Sequence, residues 1–499
     1  SNSGNYKRSF LPDNIADLVN NVPTFATIVA PRFVLQPQYS NFSAFAQDTW
    51  RLTPRIAITY GVRYEVNPAP SEKNGNLPPT VLNLDNPSAL TLTTSGTKLY
   101  ETTWNNLAPR VGIAWQPFAS GRTVIRGGFG VYYDLGYGFT GSSFSTGIYP
   151  FAATLSLPAV TFTSPAFAVQ PPAVNPNPPY PRVFAYSKNF QLPYTLQYSF
   201  AAEQSFGAGD TVSLSYVGAD AIRLGRVESL RRANPGFPRV DIVRDNGKSS
   251  YNAMQFEYRR RLSRGLQALA SYTFAKSLDT VSEESINNFQ VPASRYDLNQ
   301  DRGPSSFDIR HTFTGAVSAS LPAPRTGISR AVLGGFAIDT FIRSRSARPV
   351  NILTGRDALG LGFITVTRPD VVSGQQLYVA DPNAPGGQRI NAAAFDEVAP
   401  VRALRQGTLG RNSLRGFGVS QLDLSLRRQF RLSERLSLQA RADAFNLLNH
   451  ANFDNPVAIL TDPNFGRSTQ LLASGLGGLS SLYQVGGPRS LQVALKLVF

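Results

Sequence analysis

The chain has 499 residues, with 48 Lys and Arg against 32 Asp and Glu for a net charge of +16, and it has no cysteine. That length allows two or three soluble domains or one large barrel, while the missing thiols exclude disulfide staples and thiolate metal sites and fit an oxidising compartment. The basic balance points to nucleic acid or anionic lipid, but the cations are scattered with a single triplet, Arg259–Arg261, and no helical basic stripe accompanies them, which argues against nucleic acid.

Residues 1–38 read as a loop with the end of a preceding strand, punctuated by Pro23, Pro31 and Pro37. The opening SNSGNYKRSF has neither an initiator Met nor an apolar h-region, so no signal peptide is read there. From Tyr39 the pattern becomes regular. A strand to about Leu52 turns at Thr53-Pro54-Arg55, and Ile56, Ile58, Tyr60, Val62, Tyr64 and Val66 then alternate with Ala57, Thr59, Gly61, Arg63, Glu65 and Asn67. APRVGIAWQPF and TVIRGGFGVYYD make a second hairpin, and YTLQYSFAAEQSF and TVSLSYVGA a third. YNAMQFEYRRRL and LQALASYTFAK turn at Ser263-Arg264-Gly265, FDIRHTFTGAVSASL and GGFAIDTFIRSRS follow, and QLDLSLRRQFRL and RLSLQARADAFNLL meet about Ser433-Glu434. The last stretch, RSLQVALKLVF, alternates Leu491, Val493, Leu495, Leu497 and Phe499 with Ser490, Gln492, Ala494, Lys496 and Val498. In all, about thirteen strands are expected.

Gly, Pro, Phe and Tyr number 41, 36, 32 and 20, which favours short strands joined by many turns over helices. No apolar run approaches the roughly 20 residues of a spanning helix, so any membrane crossing is by strands. Alternation alone fits a soluble sandwich or a membrane barrel equally well. The connections separate the two. Short turns near 54, 120, 208, 264, 327 and 433 alternate with long loops at 67–106, 135–189, 221–249, 278–306, 349–418 and 449–488. Outer-membrane barrels sort their loops in this way, because only one end faces the outside, whereas a soluble meander has no reason to. The expected fold is therefore all-β, an antiparallel up-and-down transmembrane β-barrel.

The polar phase of the strands carries Arg63, Glu65, Arg110, Glu203, Glu257, Arg259, Asp308, Arg310, Asp423, Arg427, Arg441 and Asp443, which are expected to face the lumen. The apolar phase is expected to face lipid. Arg126, Arg260 and Arg428 break the alternation or fall on the apolar phase, where strand ends would let them snorkel.

FAQDTWRLTPRIAITYGVRYE, NNLAPRVGIAWQPF, SSYNAMQFEYRRRLSRGLQALASYTFAKSLD, RNSLRGFG, DAFNLLNHANF and the terminal LKLVF resemble the barrel of TonB-dependent receptors, closest to the Oar-like subgroup with its carboxypeptidase-regulatory-like domain. The resemblance runs from about residue 39 to the end. It implies a plugged barrel of about 22 strands, so residues 39–499 would be its C-terminal portion, lacking roughly nine strands, the plug and the N-terminal box. It also implies outer-membrane lipid, the barrel-assembly machinery and, through that box, the inner-membrane TonB complex as partners. Leu491, Val493, Leu495, Leu497 and Phe499 resemble the assembly signal of such barrels. No ligand-binding residue transfers by motif.

Enzyme chemistry is not expected. The two histidines cannot build a His-rich metal centre; His311 falls on the apolar phase, and His450 sits where Asn446 and Asn449 organise a turn. Gly127, Gly128 and Gly130 lack the strand-to-helix setting of a dinucleotide fingerprint and read as relief for strand bending, and Glu283-Glu284 as a solvated loop pair. Neither cofactor nor metal is expected. The function implied is nutrient uptake through an outer-membrane receptor; the alternative is a surface adhesin or structural barrel.

Overall fold

One antiparallel wall dominates the computed structural model, which describes residues 7–11, 19, 21, 25–31 and 34–499 apart from 95, 145–147, 159–172, 208, 283–296, 325, 357–366, 404, 434 and 476–484. Of the 15 strands in this sheet two short ones lie off its path, and the others follow one another in strict chain order. They are β1 (Phe42–Thr53), β2 (Ile56–Val66), β3 (Asn106–Trp115), β4 (Thr123–Tyr133), β5 (Tyr194–Phe206), β6 (Asp210–Asn234) and β7 (Phe237–Ser263). The path continues through β8 (Leu266–Asp279), β9 (His311–Ser320), β10 (Phe336–Arg345), β11 (Val419–Arg431), β12 (Ser437–Phe445) and β13 (Ser490–Val498). The fold is an all-β, up-and-down antiparallel wall, left open: among the described residues β1 and β13 each pair on one side only.

The strands form where apolar and polar residues alternate, and the turns form where the chain can take positive φ. Arg264 and Gly265, at φ 51° and 77°, join β7 to β8 in a two-residue turn whose twist matches the strands. The β9–β10 connector is a short helix, Gly327–Leu333. Short connections lie at one end of the wall and long ones at the other, as the sequence parity requires.

The structure departs from several expectations. Residues 221–249 are not a loop: β6 and β7 run on as a two-stranded ribbon closed by Pro235-Gly236, with register shifts at Ile222/Leu224, Leu224/Arg226 and Arg231/Asn234. The ribbon holds because Val240, Ile242 and Val243 are fully buried and Val183–Tyr186 pairs with it in parallel. β9 begins at His311, so Asp308 lies in the preceding loop, while Arg310 sits at the edge of the wall with its carbonyl accepting from Ala275 N–H at 2.9 Å. The long loops are not structureless, since Val350, Ile352, Ile390, Leu409 and Leu414 make a core of their own, and Phe139, Phe151, Phe184, Phe190 and Leu192 another. Within 1–38, Lys7–Leu11 and Phe25–Pro31 pair in a separate sheet with Ala152–Pro158, which is more order than the proline spacing suggested. Glu283 and Glu284 lie outside the described residues.

Candidate functional site

Directly opposed residues in an antiparallel pair share a face, so the register sorts every wall residue. One face gathers Arg63, Glu65, Arg110, Glu203, Glu257, Arg259, Asp423, Arg427, Arg441 and Asp443. The other carries Val62, Ile113, Phe129, Phe200, Leu214 and Phe256, and continues to Leu424, Leu426, Leu491, Val493, Leu495 and Leu497. Phe499 follows β13 and is 91% exposed. Depressions of about 580 Å³, floored by Gly61, Gly112, Gly128 and Gly130, and about 470 Å³, beside Asp339 and Arg441, open on the charged face.

On that face Arg63 donates to Glu65 (2.6 Å) and Ser43 (2.8 Å), Arg259 to Glu257 (2.9 Å), and Arg441 to Asp443 (2.6 Å) and Ser425 (3.0 Å). Arg427 donates to Asp339 at 2.8 Å, a partner that pattern reading did not supply. The Arg110 guanidinium lies 4.3 Å from the centroid of the Tyr132 ring. Arg126, expected off-phase, joins this face opposite Ala114 and Ala201 with Glu203 at 3.7 Å, because Gly128 and Gly130 share its phase. Arg260 and Arg428 do take the apolar face, at the short-turn end: Arg260 meets Asp210 (3.3 Å), and Arg428 lies 4.8 Å over the Phe336 ring. Arg310, opposite Ala275 at the edge of β9, has its guanidinium 5.9 Å from the Phe274 ring centroid and 3.9 Å from Asp308. His311 shares the apolar face with Phe274, and its Nδ1 meets the Tyr272 hydroxyl at 2.7 Å. These half-exposed pairs contribute about 0–1 kcal/mol each, so the ladder shapes the surface more than it holds the fold.

A second charge network, at the long-loop end, is buried. Asp301, 3% exposed, accepts from Arg226 (3.0 Å) and Arg368 (3.1 Å). Arg411, also 3% exposed, donates to the Asp279 carboxylate, to the Asp301 carbonyl (2.8 Å) and to Ser282 (2.9 Å). Asp308 accepts from Arg415 (2.6 Å) and from the Ser277 N–H (2.7 Å). Burial pushes the Arg226 and Arg368 guanidiniums down from their ordinary value, with Asp301 opposing the shift. RNSLRGFG and the SLD that ends β8 thus supply ties between loops separated by more than a hundred residues. No local pattern could announce them, because their partners are remote in sequence.

DAFNLLNHANF does similar work at the end of β12. Asn446 and Asn449 take φ of 48° and 51°; the Asn446 side chain accepts from His450 N–H (3.0 Å) and donates to the His450 carbonyl (2.9 Å), while its own N–H donates to Asp423 (2.8 Å). Asn446→Ala is expected to cost about 1–3 kcal/mol, from the orphaned backbone groups and the positive φ, measurable by urea unfolding in detergent.

Among the long loops a cleft of about 920 Å³ opens between 80–101, 186–189 and 244–245, walled by Tyr100 and Tyr186 and edged by Asn83, Lys98, Lys188 and Arg244. Burial raises both phenols, that of Tyr186 against the opposing pull of its Ser143 hydrogen bond (2.7 Å). A folded value above the unfolded one means their contribution is intact below about pH 10 and is lost as pH rises through the folded value. An ultraviolet titration should therefore show phenols that ionise after the rest, one fewer in Tyr186→Phe.

Residues 1–492 match the outer membrane beta barrel domain family. Among solved structures the chain is similar to the outer membrane transporter YddB from Escherichia coli, at 12% identity over 95% of this chain and 55% of that one, TM-score 0.46. It is similar also to the ferripyoverdine receptor of Pseudomonas aeruginosa (9% identity, 95% and 44% covered, TM-score 0.45) and the siderophore receptor PiuA from Acinetobacter baumannii (10%, 95% and 44%, TM-score 0.44). The chain spans about half the length of these proteins. No curated protein matches it in sequence.

Proposed function

Because the chain belongs to the outer membrane beta barrel domain family and resides in the outer membrane, we propose that its charged face lines a lumen, its apolar face meets lipid, and the wall serves receptor-mediated nutrient import. The observation that carries this reading is the charged face with its two depressions, together with the polar, tyrosine-walled cleft among the long loops, which is able to receive a ligand. The blocks that resemble TonB-dependent receptors, Oar-like in kind, support energised uptake driven by an inner-membrane TonB complex, and the terminal Leu491, Val493, Leu495, Leu497 and Phe499 support recognition by the assembly machinery.

The test is accumulation, in cells carrying the intact gene or its deletion, of labelled metal chelates, glycans and peptides, with and without a protonophore. Gene-dependent accumulation that collapses with the proton-motive force is the expected result. Binding at the surface without accumulation would replace transport by the adhesin reading.

A further inference from the structure

At the long-loop end most arginines are matched to acids: Arg226 and Arg368 to Asp301, Arg244 to Glu228, Arg411 to Asp279 and Arg415 to Asp308. Lys248, Lys276 and Arg302 are different. All three are exposed, and none makes an ion pair among the described residues. The register places them together. Thr280 N–H donates to the Lys248 carbonyl (2.9 Å) and Lys248 N–H to the Thr280 hydroxyl (3.0 Å), so these two residues are neighbours across β7 and β8. On the far side of β8, Asp279 and Leu278 pair with Gly303 and Pro304, which sets Arg302 beside Thr280. Lys248 and Arg302 therefore flank a small threonine, two strand spacings or about 10 Å apart, with their side chains on one face. Lys276, opposite Asn252, follows on that face four residues down β8, about 13 Å away.

This is the outer, apolar face. The row beyond Lys276 is Met254 opposite Phe274, 51% and 42% exposed. A depression of about 160 Å³ between the cations is lined by Lys248, Ser249, Ser250, Thr280 and Arg302, with Asp220 at its rim. The Asp220 carboxylate takes the Tyr198 hydroxyl (3.3 Å), which leaves three cations against one acid.

We infer that this patch binds the phosphate of a phosphorylated outer-leaflet lipid, with Lys248 and Arg302 closing on the phosphate from either side, the Ser250 and Thr280 hydroxyls beneath it, and the acyl chains lying over Met254 and Phe274. Three cations at the rim of an apolar belt match an amphiphile that carries its anionic head directly above its tails, and free phosphate has no use for the belt. The inference rests on the apolar face being the lipid face.

The test uses the full chain in phosphatidylcholine vesicles carrying a trace of spin-labelled phosphatidic acid or, in parallel, spin-labelled phosphatidylcholine. The wild type should immobilise phosphatidic acid with about tenfold selectivity, the K248Q/K276Q/R302Q variant should lose that selectivity while immobilising as much phosphatidylcholine as before, and the charge-conserving K248R/R302K variant should keep it. Immobilised lipid without selectivity in the wild type would overturn the site while leaving the lipid face intact. Absence of immobilised lipid altogether would overturn the orientation of the wall, and with it this inference. Loss of selectivity on adding inorganic phosphate would replace the lipid by the free anion and overturn the assignment.

Discussion

Asp301→Ala is expected to loosen the long-loop end while leaving the wall in place. The substitution leaves Arg226 and Arg368, 2% and 4% exposed, buried without the carboxylate that holds them, at a cost of about 3–5 kcal/mol. Water must then reach the two guanidiniums, and the segments that carry them, the β6–β7 ribbon and the chain around Arg368, must part to admit it. Hydrogen exchange should accelerate at 298–303, 367–371 and 409–412, while amides in β9 to β12 keep their protection. Unchanged exchange in those loops would mean that the apolar loop core carries the cap alone. Converting Arg226, Asp301 and Arg368 together to Met, Leu and Met should cost far less than the single change, since a buried ion cluster replaced whole by apolar groups removes its own desolvation penalty.

The second large effect separates two adjacent residues. Phe256 pairs with Leu214 and Tyr272 on the apolar face, and Gln255 with Ser215 and Thr273 on the charged one. Phe256→Arg near the middle of the span should cost about 2–4 kcal/mol, whereas Gln255→Arg should be close to neutral. Urea unfolding in lipid vesicles measures both. A reversed order would show the wall turned inside out, because a one-residue slip exchanges the faces completely.

Alternation, turn residues and loop parity determined most of the wall: the strands, their sequential antiparallel order, the two faces and the end that carries the long loops. A strand's side-chain period is local, and a hairpin joins neighbours in sequence, so each step involves residues a few positions apart. The charged row was legible for the same reason, from Arg63 in β2 to Asp443 in β12. Arg310 stands at the very edge of β9, where its carbonyl still accepts from Ala275 N–H but its guanidinium is drawn to Asp308 and the Phe274 ring, contacts that periodicity does not show. Arg126 was misjudged because glycines leave a phase unmarked.

Only the tertiary structure decided what the long loops do. Arg411 meets Asp279 across 132 residues, Arg368 meets Asp301 across 67, and Arg226 reaches the same Asp301 across 75. Each is an ordinary loop charge when read alone. The ribbon at 221–249 was hidden likewise: its bulges break the period of two, and it is held by Val240, Ile242 and Val243 packing under other loops. Local alternation fixes which face a residue takes, since that depends on its neighbours along the strand. Which cations are buried with an acid and which stay exposed on the wall depends on chain segments that meet only after the wall has brought their ends together.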